Sequence, residues 1–294
     1  MHLNGFDYEL PAQPKLRKPH AFVTLRPWID VGSVGRLAFR TLERHFDAKN
    51  LATLSRPGIF FDFTRYRPNI NTVNGKREVT IPNVNVRYAK GPGKNDFVFL
   101  HLLEPHLNSE SYVKCVVKLL KDLKIERYCL LGSMYDLVPH TKPILVTGSA
   151  SNNETAEKVK TYGVTASNYE GPTSILTMIN QQLNEIGIET MGLIAHLPQY
   201  AQTDVNHAGR LRLLNIICDL YNFSLDLERI EIRAKQQNDE LSAAMIKSPE
   251  VRALVEQLEL QYDKQNSNDE KSDYTLSPEI EDFLDEIGGE FSQN

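Results

Sequence analysis

The stretch Gly132–Ser151 (GSMYDLVPHTKPILVTGSAS) concentrates much of the candidate chemistry of this chain. It follows the apolar run Tyr128–Leu131, which reads as a strand. Its polar residues therefore fall at the C-terminal end of that strand, the edge of an open α/β sheet where ligands usually bind. Tyr135, Asp136, His140, Thr141 and Lys142 crowd there, with Pro139 and Pro143 stiffening the loop. Glu104 and His106 follow a second strand-like run ending at Leu103, and His196 and Tyr200 close a third. Carboxylates, imidazoles, a lysine and hydroxyls gathered at one edge are the groups that acid–base catalysis uses. The same residue types also cap helices and satisfy loop backbone groups, and the two prolines shape a turn whether or not anything binds there. These nine residues form the candidate ligand pocket, and no catalytic role can be assigned to any one of them.

Other chemistries find less support. His101, His106, His140, His196 and His207 lack the HExxH pattern or any tight ligand spacing, so no metal site is expected. No GxSxG elbow occurs, which argues against a serine nucleophile. The turn Gly32-Ser-Val-Gly35 follows a strand and opens a helix, where free N–H groups could hold an anion. It is neither GxGxxG nor GxxxxGK[ST], so close backbone packing is favoured over phosphate binding. No cofactor is expected. Cys115, Cys129 and Cys218 form no CxxC pair and read as small buried hydrophobes in a reducing compartment.

The elements that must position these residues follow from periodicity. Ala21–Leu25 (AFVTL), Ile59–Phe63, Val84–Tyr88, Phe97–Leu103, Tyr128–Leu131, Ile144–Thr147 and Met191–His196 read as strands. A helix follows the glycine turn, with Val34, Leu37, Ala38, Thr41 and Leu42 on one face. Further amphipathic helices are expected over Ser109–Leu123, Asn153–Tyr162, Thr173–Ile186 and Asp204–Leu220. Strands alternating with helices of this length predict an α/β fold with a mainly parallel sheet covered on both faces. Thr64–Val86 reads as an antiparallel excursion, because Asn74-Gly75 favours a tight hairpin.

Three regions are expected along the 294 residues: a core domain over 1–225, a helical hairpin over 226–263, and a disordered acidic linker with a short helix over 264–294. In the hairpin, Leu227, Ile230, Ala234, Leu241, Ala244 and Met245 form a stripe that Gln237 interrupts. A second helix restarts at Ser248-Pro249-Glu250, with serine as N-cap and proline at the first helical position. Near the end, Ile280, Phe283, Leu284 and Ile287 share one helical face, a candidate docking surface for a protein partner. Asp263–Asn294 carries ten acidic and two basic residues, a net −8 that leaves +3 on the body out of a total of −5. A near-neutral body with an acidic tail lacks the basic footprint of a nucleic-acid binder. The N-terminus has no apolar signal core, no lipidation motif is visible, and apolar runs fall far short of the roughly 20 residues that span a bilayer. A cytoplasmic protein without membrane contact is expected.

PWIDVGSVGRLAFRTL, VPHTKP followed by VTGSAS, YEGPTSIL and LPQYAQTDVNHAGRLRLLNII occur in a characteristic order. Together, over roughly Phe22–Asp263, they resemble the proteasome assembly chaperone 2 family in its bacterial form. The PHTKP segment with its downstream VTGS is the most specific part. The resemblance implies a three-layer α/β/α sandwich similar to the phosphorylase/hydrolase-like fold, assembled as a homotrimer or higher oligomer. It implies a non-enzymatic assembly or scaffold protein, since eukaryotic and archaeal relatives act as proteasome assembly factors. The alternative it leaves open is a small-molecule-binding protein or enzyme of nucleoside phosphorylase/hydrolase or carboxylate–amine ligase type. Proteasome-docking relatives end in a hydrophobic residue, a tyrosine and one final residue. This chain ends Glu290-Phe291-Ser292-Gln293-Asn294, which does not fit direct docking into a proteasome ring.

Overall fold

The computed structural model describes residues 2–10, 14–167, 169–245 and 248–266. Two short strands, β1 (His2–Leu3) and β2 (Phe6–Tyr8), precede β3 (His20–Arg26), which leads through a 3₁₀ turn into α1 (Val34–His45). Then come β4 (Lys49–Leu54), β5 (Asn69–Val73), β6 (Lys76–Thr80), β7 (Asn85–Ala89), β8 (Phe97–Leu103) and α2 (Ser109–Asp122). The second half holds β9 (Arg127–Asp136), β10 (Val146–Ala150), α3 (Asn153–Lys160), β11 (Val164–Ala166), α4 (Ile175–Glu185) and β12 (Glu189–Pro198). Three helices follow: α5 (His207–Tyr221), α6 (Glu228–Met245) and α7 (Pro249–Asn266).

Ten strands form one sheet in the order β1-β2-β4-β7-β8-β3-β9-β12-β10-β11, while β5 and β6 pair only with each other. The sheet is mixed, which corrects the expectation of a mainly parallel one. Strands β8, β3, β9 and β12 are parallel neighbours, and β10 with β11 is the other parallel pair. The remaining pairings are antiparallel. Connection length explains the difference, because a parallel step needs a crossover that carries the chain back past the sheet. Helix α2 carries it from β8 to β9. No helix lies between β9 and β10, or between β7 and β8, so the chain simply reverses there.

Alternation along β3 puts helices on both faces of the sheet. Ala21, Val23 and Leu25 pack with Tyr112, Val116 and Leu120 of α2 and Ile179 and Leu183 of α4. Phe22 faces the other way, with Phe39 of α1 and Leu213 and Ile217 of α5. Each such side chain, fully removed from water, contributes about 1.5–3 kcal/mol. Three helix N-termini are closed by side chains: Asn152 accepts from the N–H groups of Glu154 and Thr155, Ser174 from Leu176, and Asn206 from Gly209.

The ribbon β5–β6 turns at Asn74-Gly75, both with positive φ (50° and 77°), the backbone that a two-residue hairpin turn demands. Ile59–Phe63, expected as a strand, is not one. A 3₁₀ turn at Pro57–Ile59 delivers Phe60 and Phe61 into the core, where their rings lie 5.3 and 5.9 Å from that of Tyr112. Their apolar character serves burial, not pairing. β4, with the polar start Lys49-Asn50, gave no clear alternation and is recognisable only by its partners β2 and β7.

α6 packs along α5, and α7 lays Leu254 and Leu258 against Leu137 and Tyr200. Gln237 interrupts the apolar stripe of α6 for a reason: its amide donates to the carbonyl of Val205 (2.7 Å), and its oxygen accepts from the N–H of His207 at the start of α5 (2.9 Å). The expected tail face Ile280, Phe283, Leu284 and Ile287 lies outside the described residues. Among the described residues no helix is long and apolar enough to cross a membrane, and no group of His, Cys, Asp and Glu has the arrangement of a metal site.

Candidate functional site

The C-terminal ends of β8, β3, β9 and β12 form one edge of the sheet, since these four strands run in parallel. The nine candidate residues lie along it, but they separate into groups with different partners.

His140, Thr141 and Lys142 sit in the loop between β9 and β10, and all three hold the C-terminal helices. The backbone N–H of His140 donates to the hydroxyl oxygen of Tyr200 (2.8 Å). That hydroxyl therefore donates its own proton to Nδ1 of His140 (2.7 Å), which leaves Nε2–H to donate to Ser242 Oγ of α6 (3.2 Å). Burial pushes the Tyr200 hydroxyl up to about 12 and lowers His140, so both stay neutral near pH 7. Thr141 donates to Glu259 of α7, Lys142 pairs with Asp263 (2.7 Å), and Tyr262 donates to the carbonyl of Pro143 (3.0 Å). The PHTKP segment is thus the seat of α6 and α7.

Asp136 and His196 form a second group, to which the structure adds Thr147. Nδ1 of His196 donates to Asp136 Oδ2 (2.6 Å), and its Nε2 accepts from Thr147 Oγ1 (2.8 Å). Burial would raise Asp136, but the hydrogen bonds from His196 and the Leu137 N–H outweigh it and hold the carboxyl below its ordinary range. The register accounts for the contact: Thr147 pairs with Ile194 and Asp136 with Pro198, so both flank His196 across neighbouring strands. Acid, imidazole and hydroxyl are connected as in a hydrolase triad. Tyr135 belongs to the opposite face, its hydroxyl 3.5 Å from the Thr203 carbonyl.

Glu104 and His106 stand at the end of β8. Glu104 accepts from the N–H of Ile175 at the start of α4 (3.0 Å), and burial raises its carboxyl despite that bond. His106 accepts through Nδ1 from the N–H of Asp62 (3.2 Å), and its ring lies 4.4 Å from Tyr66, whose hydroxyl donates to the Glu104 carbonyl (3.0 Å). His106 borders a shallow cleft of about 420 Å³ with Phe61, Phe63 and Arg65.

The glycine turn is built around backbone contact. A Cβ on Gly35 would lie 2.5 Å from the carbonyl oxygen of Leu131, and one on Gly32 would lie 2.9 Å from Cβ of Asn206. The N–H groups of Gly35 and Arg36 at the start of α1 are taken by the carboxylate of Asp30. Burial nonetheless pushes Asp30 up to about 6. Beside it opens a larger cleft of about 640 Å³, bordered by Arg26, Asp30, Arg36 and Tyr66 and by the ends of β5, β6 and β7. None of these four residues stands out by motif. The spacing of Arg36 and Arg40 on one helical face was the one available signal.

The thiols are inert by environment, since burial pushes Cys129 up to about 12 and Cys218 to about 11.

A large mixed sheet with helices on both faces, and a C-terminal helix pair seated on the sheet edge, define the class of α/β protein. A PAC2 family protein from Streptomyces avermitilis superposes with a TM-score of 0.72 at 25% identity, covering 81% of this chain and 99% of the other. A Corynebacterium glutamicum protein of unknown function gives 0.76 at 23% identity, over 89% and 98%. A Mycobacterium tuberculosis proteasome-assembly chaperone homologue gives 0.70 at 22%, over 80% and 99%. A search of curated proteins returns no match. The chain belongs to the PAC2 family, which matches residues 24–245.

Proposed function

We propose that this protein is a non-enzymatic assembly or scaffold factor that works as a homo-oligomer, a homotrimer or higher. Similar folds include the Mycobacterium tuberculosis chaperone homologue and, at a TM-score of 0.62, an archaeal proteasome activator from Pyrococcus furiosus. The observation that carries the reading is the ribbon β5–β6. Every residue of both strands is exposed, and the cross-strand pair Ile70 and Val79 leaves 58% and 62% of its surface in water. A two-stranded ribbon is marginally stable by itself in water, so an apolar pair displayed this way calls for a covering surface. A second copy of the chain is the occupant we assign. In the same reading the helices on the two sheet faces are the outer layers of a phosphorylase/hydrolase-like sandwich, and the protein is a cytoplasmic, bacterial member of the family. The segments 1–225, 226–263 and 264–294 act as body, packed hairpin and partner-seeking tail.

Light scattering on the full chain tests this directly. A trimer or larger assembly is expected, with Ile70→Lys combined with Val79→Lys giving a folded particle of lower mass. A monomeric wild type at micromolar concentration, or an unchanged mass in the variant, would overturn the reading.

The small-molecule enzyme is the competing reading, favoured by the Asp136–His196–Thr147 chain. Neither cleft described above is lined by these three residues.

A further inference from the structure

The 640 Å³ cleft beyond β3 has a charge arrangement that the assembly reading does not use. Arg26 ends β3 and Arg36 lies in the first turn of α1; both line the cleft, and Arg40 is close enough to act electrostatically on Arg26. The side chain of Arg26 makes no hydrogen bond or ion pair among the described residues, although the residue sits within the cleft. Arg36 reaches only a hydroxyl, Ser33 Oγ at 2.6 Å. The one carboxylate on the lining is Asp30, whose oxygen is already engaged by the N–H groups of Gly35 and Arg36. Glu104 directs its carboxylate to Ile175 instead. Two guanidinium groups therefore line the cleft with a single acid between them, and Arg40 adds positive charge nearby, a surplus of positive charge at a concave site.

The remaining wall suits a small polar ligand. Tyr66 offers a ring, and Asn69 and Asn85 at the ends of β5 and β7 line the cleft with amides. The volume lies within the roughly 300–1,000 Å³ of small-molecule sites. Guanidinium groups match oxyanions in geometry, because two parallel N–H donors meet two oxygens of a carboxylate or phosphate.

We propose that this cleft binds a small ligand bearing a phosphate or carboxylate group, held between Arg26 and Arg36.

Calorimetric titration of the full chain at constant ionic strength provides the test, with inorganic phosphate, glycerol phosphate, citrate and sodium chloride as separate probes. Saturable binding of a phosphate probe, of citrate, or of both is expected, and the responding arm identifies the oxyanion. Arg26→Gln and Arg36→Gln should each weaken that binding roughly tenfold or more, while Lys114→Gln on α2, an equal charge change on an exposed helix face, leaves it unaltered. Arg26→Gln keeps the test decisive if Arg36→Gln misfolds, since the Arg26 side chain makes no hydrogen bond or ion pair among the described residues. Heats no larger than those of chloride for every oxyanion, or wild-type affinity in folded Arg26→Gln, would overturn the proposal. Neither result bears on whether the ribbon assembles the protein.

Discussion

The half-buried carboxyl of Asp30 and the buried ring of His20 shape how this protein answers to acid, and they act in opposite directions. Burial raises Asp30 from 3.8 to about 6, so the stability tied to its neutral form is full below pH 4 and is lost as pH rises through 6. Burial, helped by Arg127, lowers His20 from 6.5 to about 4, so the stability tied to its neutral ring is full above pH 6.5 and is lost as pH falls through 4. Each shift amounts to roughly 3 kcal/mol, and the two windows nearly coincide. In the wild type these contributions offset each other between pH 7 and 4. Asp30→Asn keeps an oxygen for the N–H groups of α1 while removing the charge. It is expected to be about 3 kcal/mol more stable than wild type at pH 7 and equal to it near pH 4. Urea unfolding across that range checks it, and parallel curves for the two proteins would refute the assignment to Asp30.

At the level of elements, two substitutions should run against local propensity. Alanine normally improves a helix over glycine by about 0.5–1 kcal/mol. Gly35→Ala should instead cost about 3 kcal/mol, because its Cβ would press on the Leu131 carbonyl and force α1 away from β9. Gln237→Leu would complete the apolar stripe of α6, yet it strands the carbonyl of Val205 and the N–H of His207. A loss of about 2 kcal/mol is expected, with faster amide exchange confined first to α6 and α7. Unchanged exchange in those helices would show that the glutamine does not pin them. The PHTKP loop belongs to the same account, since its side chains reach α6 and α7 at Ser242, Glu259 and Asp263.

For the whole molecule, the body is held by two cores on opposite sheet faces, whereas β5–β6 contributes to neither. A ribbon that gains its cover only from another copy makes stability depend on concentration. The thermal midpoint of the wild type should rise with protein concentration. That of the Ile70→Lys, Val79→Lys variant should not. The cleft between Arg26 and Arg36 shares Asn69 and Thr80 with the base of the ribbon, so a bound oxyanion would touch the element to which the proposed assembly is assigned.

The residue order alone determined the local pieces. A seven-residue apolar run places a strand over Phe97–Leu103, the 3.6-residue stripe starts a helix at Ser109, and Asn74-Gly75 sets the ribbon's turn. The PHTKP and VTGS segments carried the family. These signals are local, arising from backbone conformation and the periodicity of one element. The tertiary structure alone decided strand direction, as where β10 runs antiparallel to β12 although α3 and α4 lie between them, and the roles of the candidate residues. His140 finds Tyr200 across 60 positions and Ser242 across 102, and Lys142 finds Asp263 across 121. Sequence placed nine polar side chains at one sheet edge. The packing of α6 and α7 made braces of His140, Thr141, Lys142 and Tyr200, the register of β9, β12 and β10 joined Asp136 and His196 to Thr147, and the arginine cleft formed beside residues no motif had marked.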